Sequence, residues 1–501
     1  MNEPDGLDPA QTGVGDMDVE AFRAHGHVVI DWIADYLATI DRRPVLSRSA
    51  PGEVRGALPS APPTRPERFA DILADLDRVI LPGITHWNHP SFHAYFAITG
   101  AGPGILGEAL TAALNVNGML WRTSPSATEL ELVVVDWLRQ LLGMSTAWSG
   151  QLTDGASTST LLALAAARER TDLDVRQRGL TGRPDLPPLR IYASEHAHSS
   201  VEKAAIVLGL GRDGVRTIAV DGDFRLRPDA LAAAIEEDVR FGHRPLAIVA
   251  TVGTTATTAV DPLEGIAEVR DGAVRDLGHS VWLHVDGAYG AALAVCEEHR
   301  HLLDGIERAD SLVLNPHKWL FTPMDCSALL LRDPKTLATA LSLVPDYLAT
   351  EDGDVPDLMD YGIQLGRRFR ALKLWMTLRY FGVEGLRRRL NEHVRQAAQL
   401  AAWVDIHPEL ELVLRPELST VVFRVRAADG ADADGAERVA DERSRQVLRW
   451  LDADGRILLS GTVLDGRHVL RLALGNLRTT DAHLDRARAA IDDALAAVPP
   501  R

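Results

Sequence analysis

Short continuous apolar runs alternate with helically spaced segments through the middle of the chain. The strand-like runs include 216–220, 245–252 and 281–286, and the helix-like segments between them include 228–237 and 262–276. A continuous apolar run is typical of a strand that is buried on both faces. Because such runs alternate with helices, residues 101–385 are predicted to form an α/β unit, a mainly parallel sheet with helices on both faces.

The first hundred residues have a different pattern. Residues 1–18 are acidic and Gly-rich and are predicted to be a disordered N-terminus. Two amphipathic helices are predicted at 21–40 and 69–80, with a Pro- and Gly-rich linker between them. The apolar faces of these helices have no neighbouring core within residues 19–100. We therefore expect this segment to pack against a partner chain.

The pattern changes again after residue 385. Apolar and polar residues alternate at 420–425 and 468–474, and helically spaced segments lie around these runs. Residues 386–501 are therefore predicted to form a small C-terminal α+β domain. Residues 427–441 are rich in Ala, Asp and Gly and are interpreted as a surface loop. The chain length of 501 residues favours one fold of subdomains over several independent domains.

Charge, cysteine content and the lack of long apolar stretches indicate which partners and which cellular compartment to expect. The formal net charge of −17 disfavours binding to nucleic acid or to an anionic membrane. Cys296 and Cys326 are the two cysteines, which offer no disulfide framework and suit a reducing compartment. No apolar stretch reaches membrane-spanning length, and the first residues lack the features of a signal peptide. We expect a cytoplasmic protein that does not bind membranes.

Two charged residues follow neighbouring strand-like runs. Asp286 ends the run 281–286, and Lys318 comes shortly after the run 311–314. Burial disfavours the charged form of a lysine and lowers its pKa. A neutral lysine can condense with an aldehyde, and an aspartate can pair with a protonated pyridine nitrogen. The pair predicts a site for pyridoxal 5'-phosphate (PLP), although such a lysine alone would also suit a solvated strand end.

A loop of small residues supplies a candidate phosphate site. Residues 153–160, Thr-Asp-Gly-Ala-Ser-Thr-Ser-Thr, lead directly into the apolar helix 161–167. A helix N-terminus has free N–H groups that bind anions, and Gly and Ala permit a close approach. An ordinary N-cap before a core helix would have a similar sequence. The loop matches neither a dinucleotide fingerprint nor a Walker motif.

Two further strand ends carry polar residues. His198 follows the run 189–193, and Thr251 follows the run 246–249. Open α/β sheets bind their ligands at the carboxyl ends of the strands. An imidazole at His198 could stack on a planar cofactor, or it could be a surface histidine beside a helix cap.

In this order, the motifs resemble the group II pyridoxal-phosphate decarboxylases, and most closely the aromatic-L-amino-acid decarboxylases. The resemblance runs from about residue 19 to about residue 491. Five further sequence segments share this resemblance: 85–87, 94–96, 123–131, 136–138 and 365–375. It implies the type I PLP-dependent fold, which is aspartate aminotransferase-like, and a homodimer in which residues 19–100 clasp the other subunit.

The resemblance also implies roles for individual residues. The implied catalytic residues are Lys318, His198, Tyr347 and Asp286. The implied cofactor-binding residues are Ala156, Ser157, His198, Thr251, Asp286, Ala288, His317 and Lys318. His198 would stack on the ring, with Ala288 under its other face. Thr158 stands where the family usually has a Glu, and no metal site is implied.

Tyr347 lies in a polar segment that resembles the mobile catalytic loop of the family. It matches the tyrosine that returns a proton to the substrate Cα. A tyrosine in an ordinary exposed loop is the alternative interpretation.

The implied substrate-binding residues are Trp87, Tyr95, Phe96, Met119 and Gly366. Their aromatic rings could enclose a flat substrate ring. Met119 stands where animal enzymes have Phe, and Ile98 where they have Thr, which suggests less selectivity for catechols. Gly366 matches a position where plant relatives with indole substrates carry Gly. We therefore expect tryptophan or phenylalanine as substrate rather than dopa.

The predicted activity is PLP-dependent decarboxylation of an L-amino acid, aromatic in class (tryptophan, phenylalanine, tyrosine or dopa), to the amine and CO2. The alternatives are oxidative deamination that follows decarboxylation and yields an aromatic aldehyde, decarboxylation of an acidic amino acid, and cofactor binding without catalysis. Oxidative relatives typically replace the loop tyrosine by Phe or the stacking histidine by Asn, whereas this chain keeps Tyr347 and His198. No basic residue obviously faces a side-chain carboxylate, and Lys318 with Asp286 argues against a non-catalytic protein.

Overall fold

The computed structural model describes residues 7–343, 355–427 and 433–499. The α-helices of these residues are α1 (Val19–Thr39), α2 (Glu53–Ala57), α3 (Phe69–Asp75), α4 (Gly102–Leu114), α5 (Pro125–Leu141), α6 (Ala156–Glu169), α7 (Val175–Arg178), α8 (Ser200–Val207), α9 (Pro228–Arg240), α10 (Leu263–Leu277), α11 (Pro316–Trp319), α12 (Lys335–Leu341), α13 (Ala371–Ile406), α14 (Ala433–Asp454) and α15 (Asp481–Ala497). The strands are β1 (Ser149–Thr153), β2 (Leu189–Ser194), β3 (Val215–Ile218), β4 (Arg244–Thr251), β5 (Trp282–Asp286), β6 (Ser311–Leu314), β7 (Ser327–Leu331), β8 (Leu410–Leu414), β9 (Thr420–Val425), β10 (Ser460–Leu464) and β11 (Arg467–Ala473).

Contacts divide the chain into two compact units. The first contains the described residues up to Phe92, together with Gln446–Leu459 and Arg478–Pro499. The second contains His93–Arg445 and Ser460–Leu477. The division predicted from the sequence, 1–18, 19–100, 101–385 and 386–501, follows chain order rather than contacts, and it stays a prediction.

A seven-stranded sheet in the described residues forms the centre of the second unit. Its strand order is β1-β7-β6-β5-β4-β2-β3. Strands β2 to β6 pair in parallel, whereas β7 is antiparallel to both of its neighbours, β1 and β6. The predicted α/β fold with a mainly parallel sheet is confirmed.

Helices cover both faces of this sheet. Side chains of α5, α9, α10 and α13 share one core cluster, and side chains of α6, α8 and α12 share another. Alternate residues of β4 enter the two clusters, for example Ile248 in the first and Val249 in the second. A strand buried on both faces has no polar side, which explains why these runs are continuously apolar.

The C-terminal sheet belongs to the same unit and is antiparallel throughout. Its order is β10-β11-β9-β8. The C-terminal α+β part of the predicted fold is confirmed, while the bounds 386–501 stay a prediction.

The surface loop predicted at 427–441 is wrong from Ala433 onward, where α14 begins. Its residues have high helix propensity, and the buried residues Ala440, Ser444 and Val447 recur at helical intervals. Single Gly and Asp residues led the sequence interpretation to a loop, but burial of one helix face overrides such weak local preferences.

The predicted N-terminal helices are present as α1 and as α3, which a π-helical turn continues over Leu76–Ile80. None of the described helices combines the length and apolar character that a bilayer crossing requires.

Candidate active site

The parallel strands β4, β5 and β6 end at the same edge of the large sheet. Thr251 is the last residue of β4 and Asp286 the last of β5, and the two are register partners. Strand β6 ends at Leu314, and Lys318 follows in the short helix α11. Because carboxyl ends of parallel strands collect side chains at one edge, the sheet brings these three predicted residues together.

Two opposing influences act on the ammonium group of Lys318. Burial penalises the charged form and lowers its pKa, whereas the negative charge of Asp286 raises it, and burial dominates. Asp286 is buried, and its Oδ1 accepts a hydrogen bond of 3.1 Å from the N–H of Ala288. Lys318 therefore lies within the field of Asp286 and holds its proton less tightly than a solvated lysine.

His198 lies at this edge and remains open to solvent. Its Nδ1 accepts a hydrogen bond of 3.1 Å from the N–H of Ser200, so the neutral ring carries its proton at Nε2. Partial shielding from water lowers the pKa of the imidazole, Lys318 lowers it further, and Asp286 opposes both. These mutual effects place His198, Asp286 and Lys318 in one electrostatic site.

His317 precedes Lys318 and is buried. Its Nδ1 accepts a hydrogen bond of 3.0 Å from the N–H of Cys326. Burial lowers the pKa of His317 to about 4, and the charge of Lys318 adds to that effect. The imidazole is therefore neutral near pH 7.

A stack of aromatic rings adjoins the lysine amine. Lys318 Nζ lies 5.3 Å from the centroid of the Phe96 ring. Phe96 stacks on Tyr289 with a centroid distance of 3.8 Å, and Tyr289 stacks on Trp319 at 4.7 Å. All three rings are buried, so they form a fixed apolar wall beside the amine.

Helix α6 presents an uncapped N-terminus at Ala156 and Ser157. Its N-cap is Gly155, and no side chain of the described residues bonds to the first-turn N–H groups. Thr251 Oγ1, at the end of β4, and Asn315 Oδ1, directly after β6, are buried without a hydrogen-bond partner among the described residues. Free N–H groups and unpaired buried oxygens leave polar capacity for a ligand that carries an anionic group.

Met119 and Gly366 form a second group, joined through Asn117. Asn117 Oδ1 accepts a hydrogen bond of 2.9 Å from the N–H of Arg367, and its Nδ2 lies 3.5 Å from Met119 Sδ. Across the described residues, no hydrogen bond or ring contact joins this group directly to Lys318. The structure thus brings Phe96 to the lysine, whereas the contacts of Met119 and Gly366 are with Asn117.

The remaining predicted residues have separate positions. Trp87 belongs to the first unit, where its ring lies 4.4 Å from that of Phe92. Tyr95 is exposed, and its carbonyl lies 3.5 Å from the guanidinium of Arg471. Tyr347 lies outside the described residues. Substrate contacts by these residues stay predictions.

Sequence reasoning missed Arg471, a buried cation beside Phe96. Its guanidinium carbon lies 5.5 Å from the centroid of the Phe96 ring. It donates hydrogen bonds to the Ala256 carbonyl at 2.7 Å and to Ser460 Oγ at 2.9 Å. Burial lowers its pKa to about 10. A charged residue within the apolar run of β11 was the signal that could have revealed it.

Asp261 was also missed, and it supports the end of β4. Its carboxylate accepts hydrogen bonds of 2.7 Å from the N–H groups of Thr251 and Leu226. Burial raises the pKa of Asp261 to about 6.

The profile of the pyridoxal-dependent decarboxylase conserved domain matches residues 51–426, a range that contains Asp286, Lys318 and the stack beside them. The chain belongs to this family. It is a PLP-dependent amino acid decarboxylase.

Relatives and a solved structure agree with this membership. Tyrosine decarboxylase 2 of Arabidopsis thaliana is 39% identical, with 94% of this chain and 86% of that protein covered. Phenylacetaldehyde synthase of the same plant is 37% identical, with 94% and 95% covered. The crystal structure of Oryza sativa TDC with PLP and tryptamine superposes with a TM-score of 0.90 at 35% identity, over 96% of this chain and 98% of that one.

The residues of this pyridoxal-dependent decarboxylase fit its cofactor. The lowered pKa of Lys318 favours the neutral amine that an aldehyde needs. Asp286 offers a buried negative charge of the kind that pairs with a pyridinium nitrogen. The uncapped N-terminus of α6 suits a phosphate group.

Proposed function

We propose that this decarboxylase converts an aromatic L-amino acid into CO2 and the corresponding arylalkylamine. The observation that carries the proposal is the stack of Phe96, Tyr289 and Trp319 beside the Lys318 amine. Each favourable pair of aromatic rings contributes roughly 0.5–1.5 kcal/mol beyond burial. The relatives named above support it, because tyrosine, phenylacetaldehyde and tryptamine all contain an aromatic ring.

The proposed roles divide the site into an anchor, a countercharge and a phosphate cradle. Lys318 would hold the aldehyde group of PLP, and Asp286 would pair with its ring nitrogen and favour the protonated form. The first N–H groups of α6, at Ala156 and Ser157, bind the phosphate. When bound, PLP acts as an electron sink for the electron pair that remains after CO2 leaves.

Four further residues are proposed to surround the cofactor ring. His198, which solvent still reaches, would stack on one face, and the small Ala288 would leave room at the other. Thr251 has a buried hydroxyl without a partner in the described chain and lies near the ring. His317 is adjacent to the anchor and stays neutral, so it adds no charge beside Lys318.

Substrate choice is proposed to favour tryptophan or phenylalanine over dopa. Trp87, Tyr95 and Phe96 supply aromatic surface, and Met119 supplies a pliable thioether without a hydroxyl. A Cβ at Gly366 would meet only Asn117 Nδ2, at 3.8 Å, so the absent side chain leaves open space for a wide ring. Ile98 in place of a threonine removes a hydroxyl that could bond to a catechol, which lowers the expected selectivity for dopa.

A substrate panel tests the proposal. Purified protein with PLP is offered the common amino acids and dopa, and CO2, amine, ammonia and peroxide are measured. We expect the highest kcat/KM for tryptophan or phenylalanine, with amine and CO2 in equal amounts. Fastest turnover of glutamate or aspartate would contradict an aromatic substrate class.

The aldehyde-forming reaction is the second candidate, favoured by the similarity to phenylacetaldehyde synthase. We propose that Tyr347 decides between the two products by returning a proton to the substrate Cα. Tyr347→Phe removes that acid, so the electron-rich carbon persists and meets oxygen, and general acid catalysis typically contributes about 10²–10⁴-fold.

We expect Tyr347→Phe to shift the product from amine toward aldehyde, ammonia and peroxide under air. The same variant under nitrogen is the control, because the oxidative route needs oxygen. Amine formation at the wild-type rate without peroxide would show that another group supplies the proton.

We also propose a homodimer in the cytoplasm. Helix α1 has 21 residues and none of them is buried, so Phe22 and Ile30 remain exposed. Apolar faces of this kind indicate a protein interface. Two free, buried cysteines suit a reducing compartment, and the net charge of −17 disfavours nucleic acid as a partner.

A further inference from the structure

Four buried side chains form one hydrogen-bonded chain through the large sheet. Trp282 Nε1 lies 2.8 Å from Ser311 Oγ, which lies 2.8 Å from His284 Nδ1. His284 Nε2 in turn lies 3.4 Å from Thr160 Oγ1. All four are buried, with His284 and Thr160 at 0% exposure. We call Trp282, Ser311, His284 and Thr160 the His284 relay.

The position of each hydrogen in the relay follows from its first donor. An indole N–H can only donate, so Ser311 Oγ accepts from Trp282. The Ser311 hydroxyl has no other acceptor among the described residues, so its own hydrogen points to His284 Nδ1. The neutral imidazole therefore carries its proton at Nε2 and donates it to Thr160 Oγ1. Burial lowers the pKa of His284 to about 4, which keeps the ring neutral.

The relay joins the three elements that carry the groups proposed to bind the cofactor, namely the phosphate cradle, Asp286 and Lys318. Thr160 belongs to α6, whose first turn is the proposed phosphate cradle. His284 belongs to β5 and precedes Asp286 by two residues, so both side chains lie on the same face of the sheet. Ser311 pairs with His284 in register and opens β6, after which the chain reaches Lys318.

We propose that His284 is a positioning residue, which sets the separation of the phosphate cradle, Asp286 and Lys318 through its two hydrogen bonds. A cofactor ring has fixed dimensions, so all three anchors can bind it at once only if α6, β5 and β6 keep one relative position. Apolar contacts tolerate sliding, whereas a buried chain of hydrogen bonds is broken by it. The inference rests on the proposed roles of Asp286 and α6.

Thr160→Val tests the relay, because it removes the last acceptor with almost no change in side-chain volume. We expect the dissociation constant for PLP to rise about threefold to tenfold, as for the loss of one buried hydrogen bond. The visible circular dichroism of the bound cofactor should change as well, since it reports the orientation of the ring. Thr160→Ser restores the hydroxyl and should recover both properties.

Thr377→Val is the matched control. Thr377 is also a buried helical threonine, and its hydroxyl bonds to the Lys373 carbonyl at 2.8 Å, outside the relay. The Thr377→Val substitution should leave PLP affinity and the dichroism unchanged. Wild-type affinity and dichroism in Thr160→Val would overturn the proposal, and so would an equal loss in Thr377→Val.

A double-mutant cycle with Ser311→Ala separates the relay from local packing. Both changes break the same chain, so Thr160→Val should have little further effect on PLP affinity when Ser311 is already Ala. Additive losses would show two independent packing effects and would refute the relay.

Asp286→Asn, measured in parallel, distinguishes failure of this inference from failure of the proposed site. If Asp286→Asn weakens PLP binding and Thr160→Val does not, the site stands and the relay fails. If Asp286→Asn binds PLP normally, the proposed countercharge is wrong and the relay, which depends on it, falls too.

Discussion

The ammonium of Lys318 loses its proton more readily than that of an ordinary lysine, and Asp286 limits this effect. Burial acts on the charged form of Lys318, and the nearby carboxylate partly compensates. A lowered pKa increases the fraction of neutral amine at a given pH. The reaction of the cofactor-free protein with PLP should therefore accelerate as pH rises, with a midpoint below the ordinary lysine value of about 10.4.

Asp286→Asn removes the negative charge that favours the ammonium form. The pKa of Lys318 should then fall further, and the midpoint of the PLP reaction should move to lower pH. Stopped-flow absorbance across a pH series gives both midpoints. Asp304→Asn, at an exposed aspartate, is the control and should leave the midpoint in place. A midpoint that rises in Asp286→Asn would contradict the proposed pairing.

Lys318→Ala should abolish turnover while the fold persists, because it removes the amine that holds the aldehyde and little packing. Evolved CO2 measures turnover, and far-ultraviolet circular dichroism measures the fold. The chain has four lysines, Lys203, Lys318, Lys335 and Lys373. Borohydride trapping and peptide mapping can therefore assign the modified residue directly. The exposed Lys335→Ala is the control, and near-normal activity of Lys318→Ala would refute the site.

Among the helices, α4 packs closely on α13 where Gly107 meets Lys373. A Cβ added at Gly107 would lie 2.8 Å from the Cα of Lys373, and that atom belongs to the backbone of α13. Lys373 is buried and pairs with Glu108 of α4. The helices therefore have little freedom to move apart without loss of this ion pair.

Gly107→Ala should lower the free energy of unfolding by about 1–3 kcal/mol, as typical for an overpacked core. Gly102 of the same helix is the matched control, because a Cβ there would meet nothing within 4 Å. Gly102→Ala should be neutral or slightly stabilising, since Ala is the better helix former. Denaturant unfolding of both variants measures the difference. Equal stability of the two would show that α4 and α13 adjust at no cost.

At the scale of the whole molecule, the proposed dimer would bury the exposed apolar surface of α1. Phe22→Glu places a charge on a side chain that is 65% exposed in the single chain. If a second copy covers this surface, the charge should weaken dimerisation at least tenfold, because it would be buried without a partner.

Sedimentation equilibrium of wild type and Phe22→Glu measures the dimer constant. Val207→Glu is the control, since Val207 is 68% exposed on α8, outside the N-terminal segment. An unchanged dimer in Phe22→Glu would exclude α1 from the interface.

The architecture of the large sheet and the positions of its polar strand ends could be predicted from local patterns in the sequence. Strands such as β4 and β5 are buried on both faces, so their apolar runs are continuous and their ends are easily recognised. Asp286 ends one such run and Lys318 comes shortly after another, so the two were predictable as neighbours at one edge. The surface loop predicted at 427–441 was wrong where α14 begins, because burial of one helix face outweighs the weak turn preference of single Gly and Asp residues.

Which distant residues meet at that edge depends on the packing of the whole fold. This packing placed Phe96 beside Lys318, brought Arg471 of β11 to the same ring, and linked Thr160 to His284. Local periodicity reports the burial of each segment, but strand order and long-range packing depend on the free energy of the whole fold. These contacts therefore have no signature in any single stretch of sequence.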